Sequence, residues 1–578
     1  MFGNFFKKYA WVYVPGVAFL LLYSKLSTEV PKALGAAIDI VESGAADMHA
    51  VLLAAARVAV LGVLVFATQF VWRVCIMSNS RRLECAMRES YFAKLQSLPM
   101  SYFRRQRTGD LIAYAINDIN AVRMSLGPVL AMGLRGIATA IFSIVAMASG
   151  IDGRMTLFVL LPVPIACGAV IILGNKIRVR FARVQALFAR ISGFVNESIM
   201  GSKVIKSFAR EDEWNADYGE LSDEMKKANL SLVNASSLLG PAVTVSFGIS
   251  YAVSLIYGAG LVLDGAMSIG DLVAYQFYLE LVRRPIVMLS RLINMCVRGA
   301  ASYKRLRAVF NEKSVPEGEL AGAAVEIKEG ISVKDLTYTY EDSDTPALDG
   351  VSFDIPVGSF VGITGQTGCG KTTIAALLLK LCEAPRNSIF VDGTDICDMP
   401  AYSMRRACGY VPQDGFLFSD SIMNNIAFYS DADEDAVKAA AHTACIDASD
   451  TTVFPEGYET EVGERGTHLS GGQKQRISLA RAIVRSPQLL ILDDTLSAVD
   501  SITEETIKSR LSDVLKGRTC LMISQKLSAI ADCDCILYMR DGRITERGTH
   551  DELVALGGEY AELWKKQSEN ARKESEAK

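Results

Sequence analysis

The chain has 578 residues, half of them hydrophobic and only 21% charged, with a net charge of −4 and a mean hydropathy of +0.24. That length implies several domains, and the slight acidic surplus excludes a nucleic-acid partner held by bulk charge. The average conceals a split, because long apolar runs fill residues 1 to about 305 whereas 325–565 reads as a water-soluble α/β domain. The twelve cysteines are scattered without zinc-ligand spacing and read as buried thiols, Cys533 and Cys535 sharing one face of a strand.

The N-terminus, MFGNFFKKYAW, lacks a small-residue cleavage site and reads as a short amphipathic helix on a membrane surface. A bilayer core needs about 20 apolar residues per helix. Six stretches qualify: 11–30, 52–75, 126–149, 155–175, 237–263 and 271–297, the last weakened by Glu280, Arg283 and Arg284. The loops after the second and fourth stretches are long and basic, with Arg81, Arg82, Arg88, Arg104, Arg105 and Arg123 in one and Lys176, Arg178, Arg180 and Arg183 in the other. The loop between the fifth and sixth has no Lys or Arg. Positive loops stay in the cytoplasm, which puts both termini and both long loops on that side. Residues 76–124, apart from Pro99, and 177–233 lack proline and are rich in helix formers, so the membrane helices are expected to continue far into the cytoplasm. They would turn at Arg107–Asp110, with Thr108 or Asp110 as cap, and at Met200–Ser202. Charges inside a span face a cavity or a partner. Glu280, Arg283 and Arg284 are therefore candidates for lining a solute cavity, although their i, i+3 and i, i+4 spacing also allows them to pair along one helix.

A linker, 311–330, leads to ISVKDLTYTY and VSFDIPVGSFVGITG, whose β-branched and aromatic alternation reads as strand. The second run enters Gly365-Gln366-Thr367-Gly368-Cys369-Gly370-Lys371-Thr372-Thr373 and then an apolar helix, which is G-x-x-x-x-G-K-T in its strand–loop–helix setting. Glycines let backbone amides curl around phosphates, and the helix N-terminus adds a favourable dipole. Lys371 is suited to the β- and γ-phosphates and the Thr372 hydroxyl to Mg²⁺. Further on, LLILDD (489–494) is a buried strand closing on two carboxylates, Asp493 for Mg²⁺ and Asp494 where an attacking water would need a base.

Leu469-Ser470-Gly471-Gly472-Gln473 followed by KQRISLARAI resembles the signature of ATP-binding cassette (ABC) proteins, and the resemblance covers nearly the whole chain. It is similar to exporter-fold half-transporters: a multidomain membrane protein with an all-α six-helix transmembrane domain (1–310), the linker, an α/β P-loop nucleotide-binding domain (331–566) and a charged tail (567–578) expected to be disordered. The resemblance implies that Tyr340 stacks on adenine, that Gln413 links Mg²⁺ to the coupling helices, and that Thr460–Gly466 senses the membrane domain. It also implies that Ser497–Asp500 crosses a dimer interface, with Asp500 at its end. TGDLIAYAINDINAVR and NESIMGSKVIKSFAREDE resemble the two intracellular coupling regions. Two cassettes would close head to tail on ATP and Mg²⁺, Ser470, Gly471, Gly472 and Gln473 acting on the ATP held by the partner's phosphate loop.

Two positions depart from the family pattern. Asp494 stands where a catalytic Glu is expected, and Gln525 where a His is expected. Both changes weaken chemistry more than binding, while the signature is intact. That combination resembles the degenerate-site subunit of heterodimeric exporters, so a heterodimer with a second half-transporter is expected over a homodimer. Other partners would be membrane lipid and an unidentified solute, with no nucleic acid. A siderophore-type importer and a non-transporting regulatory ATPase are the rival readings. A multi-pass protein of a bacterial inner membrane, cassette in the cytoplasm, is the expected location.

Overall fold

The computed structural model describes residues 2–43, 48–323, 325–446, 454–463, 466, 469–497 and 499–576. Glu464 and Arg465 of the expected sensing loop and Ala498 of the interface loop lie outside the described residues. The described residues form two compact units, Met1–Gln96 with Arg107–Glu312, and Ser97–Gln106 with Lys313–Lys578. The segment Ser97–Gln106, expected within the first domain, thus clusters with the second unit.

The first unit is helical: α1 (Phe2–Glu42), α2 (Met48–Gln96), then, beyond the short α3 (Met100–Arg105) of the second unit, α4 (Thr108–Gly150), α5 (Gly153–Met200), α6 (Ser202–Ser207), α7 (Glu211–Leu263) and α8 (Ile269–Asn311). Four of them, α2, α4, α5 and α7, are long and apolar enough to cross a membrane. The remaining two long helices carry more charge, with Lys25, Glu29 and Lys32 in α1 and Glu280, Arg283, Arg284 and Arg291 in α8. α2 has 49 residues, about 74 Å at 1.5 Å per residue. That is more than twice a bilayer core, so the helix continues well past its apolar stretch. Along that stretch Leu52, Val60, Val63, Phe66 and Phe70 are exposed. Water is a poor neighbour for such a row and lipid a good one.

The polar ends are tied by ions. Glu84 is buried and its carboxylate takes Arg81 at 2.8 Å, Arg88 at 2.7 Å and Arg123 at 3.2 Å, so three of the loop arginines fold onto one acid. Buried Asp118 accepts from Ser302 Oγ (2.9 Å) and twice from the Arg305 guanidinium (2.7 and 2.6 Å), joining α4 to α8. The turn expected at Arg107–Asp110 is present, but Arg107 occupies the cap position and makes no side-chain capping bond. Thr108 and Asp110 lie inside the helix.

The second unit has two sheets. An antiparallel one has the order β2 (Leu348–Pro356), β1 (Gly330–Tyr338), β4 (Ile389–Val391) and β5 (Thr394–Asp395). The other runs β10 (Arg543–Gly548), β9 (Cys535–Arg540), β3 (Phe360–Gly365), β8 (Thr519–Ile523), β7 (Leu489–Asp493) and β6 (Cys408–Val411), parallel except for β10. VSFDIPVGSFVGITG is therefore two strands, broken after Pro356 where Gly358 takes φ +78°. Every residue of β7 and β8 is buried, as for strands covered on both faces. Their apolar runs carry no alternation for that reason. Cys533 precedes β9 instead of sharing a strand with Cys535.

The tail is a correction to expectation. It is helical, as part of α11 (Glu559–Glu576), the helices α9 (Lys371–Leu378) and α10 (Gly471–Ile483) preceding it in the unit. Glu, Lys, Arg and Ala dominate it without Pro or Gly, and its first turns are anchored, so helix propensity is not overridden by charge.

Candidate nucleotide site

Open parallel sheets bind ligands beyond the carboxyl ends of their strands. Here β3, β8 and β7 are neighbours, and their ends deliver the phosphate loop, Ser524-Gln525 and Asp493-Asp494 to one place. The phosphate loop leaves β3 at Gly365, whose φ is +142° and where an added Cβ would lie 2.0 Å from the Met539 carbonyl oxygen. At Gly370, φ +97°, a Cβ would lie 2.3 Å from the Ala347 carbonyl oxygen. Both positions require glycine, and the loop they shape opens on the N-terminus of α9.

Lys371 is buried, and its Nζ donates to the carbonyls of Gly365 (2.9 Å) and Gln366 (2.8 Å). Its charge is thus held inside the loop's curve. Thr372 Oγ1 donates to Asp493 Oδ1 at 3.2 Å, and the Tyr410 hydroxyl stands 3.5 Å from Oδ2. Burial holds the Asp493 carboxyl above the ordinary aspartate range; the Asp494 charge adds to this, while the Thr372 bond and Lys371 oppose it. An exposed hydroxyl bonded to a buried carboxylate beside a lysine-filled glycine loop is a donor set that fits a nucleoside triphosphate with a hard divalent cation. Gln413 is exposed just beyond β6, and Tyr410 on β6 is the residue of that strand that reaches Asp493.

Asp494 turns out of β7 with φ +50°, a region that Asp tolerates better than most side chains. Its amide donates to Ile523 O at 2.7 Å, and its carbonyl accepts from Ser497 Oγ (2.8 Å) and Gln475 Nε2 (3.4 Å). The Gln525 amide faces its carboxylate at 3.4 Å. Gln475, on α10, is buried and was not legible as a site residue, since nothing in its spacing distinguishes it from helix packing.

Tyr340 donates to or accepts from Thr373 Oγ1 at 3.0 Å and meets Tyr338 edge-on at 5.0 Å. Arg104 of α3 lies over its ring, 4.8 Å from the centroid, and Arg105 pairs with Glu341 at 3.4 Å. The sequence showed Arg104 only as one charge in a basic loop. Ser470 caps α10: its Oγ accepts from the Gln473 amide (3.3 Å), and its own amide donates to Gln473 Oε1 (2.7 Å). This capping box fixes the helix start and leaves the Ser470 hydroxyl proton and the Gln473 Nε2 free to donate outward. Asp500 accepts from the Thr503 amide at 3.0 Å, and that bond lowers its pKa. Arg481 of α10 donates to Phe416 O (2.9 Å) and Asn425 O (2.7 Å), holding the segment after Gln413; burial lowers its pKa to about 10, so it stays a cation. Away from this site, Glu280 takes Arg283 at 2.6 Å, Arg284 at 3.4 Å and the Tyr251 hydroxyl at 3.3 Å, so these three charges pair along α8.

Residues 17–286 match the ABC transporter transmembrane region, and residues 348–497 match the ABC transporter family. The probable multidrug resistance ABC transporter ATP-binding/permease protein YheI of Bacillus subtilis is 34% identical over 573 residues, 98% of this chain and 97% of that protein. The chain belongs to the ABC transporters. The multidrug resistance-like ATP-binding protein MdlA of Escherichia coli is 32% identical over 559 residues, 96% of this transporter and 94% of its own length. A solved bacterial Atm1-family ABC exporter with ATP bound superposes with a TM-score of 0.77 at 28% identity, covering 96% of this chain and 98% of that one. This ABC transporter is therefore a multi-pass membrane protein, an exporter-fold half-transporter that binds ATP and couples its hydrolysis to solute transport.

Proposed function

We propose that the chain is the degenerate-site half of a heterodimeric exporter, with six membrane spans, a domain boundary near residues 311–330, and its cassette in the cytoplasm of a bacterial inner membrane. Six long helical runs and the basic loops support the span count and orientation. Lys371 and the loop amides would hold the β- and γ-phosphates, with Tyr340 against the adenine and Thr372, Asp493 and Gln413 around Mg²⁺. The cation neutralises phosphate charge and orients the terminal phosphate for attack. The observation that carries the asymmetric reading is the pairing of Asp494 and Gln525 at the hydrolytic positions with an intact, capped signature helix. Ser470 to Gln473 would then complete the competent site of a partner that carries Glu and His, and Asp500 would lie at the shared interface.

The multidrug names of its relatives support an amphipathic, drug-like solute. Glu280, Arg283 and Arg284 would supply a polar face to its path; unchanged transport and unchanged solute-stimulated ATPase in Glu280→Gln would remove them from it. The deciding experiment for the whole reading is ATPase activity of the chain alone in lipid beside the co-expressed pair. Negligible turnover alone and strong turnover in the pair, lost when the partner's catalytic Glu is changed, is the expected result. Robust turnover alone that disappears in Asp494→Asn would instead establish a homodimer.

A further inference from the structure

We propose that Gln567, on the C-terminal helix α11, is a positioning residue that clamps the Gln525 loop and so governs how well this site tells ATP from ADP. The inference rests on the reading above that Gln525 faces the terminal phosphate.

The first turn of α11 is fixed to the cassette. The Glu546 carboxylate accepts from the Glu559 amide (2.6 Å) and the Tyr560 amide (3.2 Å). Tyr560 is fully buried with its hydroxyl 2.7 Å from His550 Nδ1, and Trp564 meets the same imidazole edge-on at 4.4 Å. Gln567 lies seven residues beyond Tyr560, two helical turns further along the same face. Its side-chain amide spans the loop: Oε1 accepts from the Leu527 amide at 2.9 Å, and Nε2 donates to the Gln525 carbonyl at 2.8 Å. Both polar atoms of one side chain are therefore spent on backbone groups two residues apart, with Gln525 at one end.

The loop has no ladder of its own at this point, since β8 ends at Ile523. On its other side Lys526 Nζ donates to the Leu496 and Val499 carbonyls at 3.2 and 3.1 Å. The Gln525 amide in turn faces the Asp494 carboxylate, so a shift of the loop is felt at Asp494. A cavity of about 620 Å³ is lined by Gly365 to Thr367 of the phosphate loop, Asp494 and Gln525 together with Lys566 and Gln567. The charged C-terminal stretch thus lines part of the space next to the phosphate loop.

The test uses the full chain in lipid nanodiscs with Mg²⁺, ADP and a non-hydrolysable ATP analogue, so it needs no turnover. Gln567→Ala should weaken the analogue about three- to tenfold, the loss expected for one or two backbone-positioning hydrogen bonds. ADP affinity should stay within about twofold, and the amides of Gln525 to Leu527 should exchange hydrogen faster. Gln567→Glu, which keeps the acceptor for Leu527 and loses the donor to Gln525, should fall between. If Gln525→Ala reduces the preference for the ATP analogue and Gln567→Ala does not, the clamp is refuted while the reading of Gln525 stands. If Gln525→Ala leaves the preference intact, the loop does not read the terminal phosphate and both ideas fall. Equal weakening of ADP and analogue in Gln567→Ala, with a lowered melting temperature, would reduce Gln567 to a packing residue.

Discussion

Replacing Asp494 by Glu tests whether one missing methylene limits hydrolysis. The backbone at 494 is held by Ile523 O on its amide and by Ser497 and Gln475 on its carbonyl, so it cannot slide forward to compensate for a short side chain. Glu would advance the carboxylate by about 1.5 Å, one carbon–carbon bond. Misplacement of about 1 Å can cost about 10²-fold, or roughly 2.7 kcal/mol of barrier. The same substitution places Glu at φ +50°, where a longer side chain lacks the local hydrogen bonding that eases Asp; the strain is about 1 kcal/mol. The expected outcome is a rise in ATPase of about ten- to a hundredfold for the chain alone in lipid, with slightly lower thermal stability. Adding Gln525→His should raise it further. Unchanged turnover in a variant that still binds ATP would refute the reasoning, because the length of the carboxylate would then not be limiting.

Lys371→Ala should lower ATP affinity by about tenfold or more, read by nucleotide titration, because a charge-assisted donor is worth about 1.5–3 kcal/mol. Asp493→Asn should abolish Mg²⁺-dependent nucleotide binding yet raise the melting temperature of the nucleotide-free protein. The folded carboxyl holds its proton more tightly than the unfolded one, so ionising it costs stability. The advantage of Asn should therefore be absent below the ordinary aspartate pKa and grow as pH rises through the elevated folded value; melts that shift equally at every pH would contradict this. Arg305→Ala should destabilise the helical unit by about 1–3 kcal/mol, less than a fully buried pair because the guanidinium is half exposed. Adding Asp118→Asn should recover most of that loss in a denaturation assay, since the stranded acid would be gone.

The elements with local signals were legible in the chain itself. Apolar runs of bilayer length, the glycine–lysine loop between strand and helix, the signature run from Leu469 to Gln473 and the two carboxylates closing LLILDD each occupy a contiguous stretch. The departures at Asp494 and Gln525 were legible for the same reason, because a motif fixes the position at which a substitution matters. What the sequence could not supply were partners distant along the chain. Glu84 gathers Arg123 and Asp118 meets Arg305 across 187 residues, whereas the loops themselves showed only an excess of positive charge. Arg104 lies on Tyr340, Gln475 reaches the Asp494 carbonyl, and Gln567 crosses from a tail expected to be disordered to hold the loop at Gln525. A single polar side chain carries no periodicity that marks it as a ligand, a strut or a solvated group. Its role is set by which backbone groups the packing of separate elements leaves unpaired beside it, and only the tertiary structure decides that.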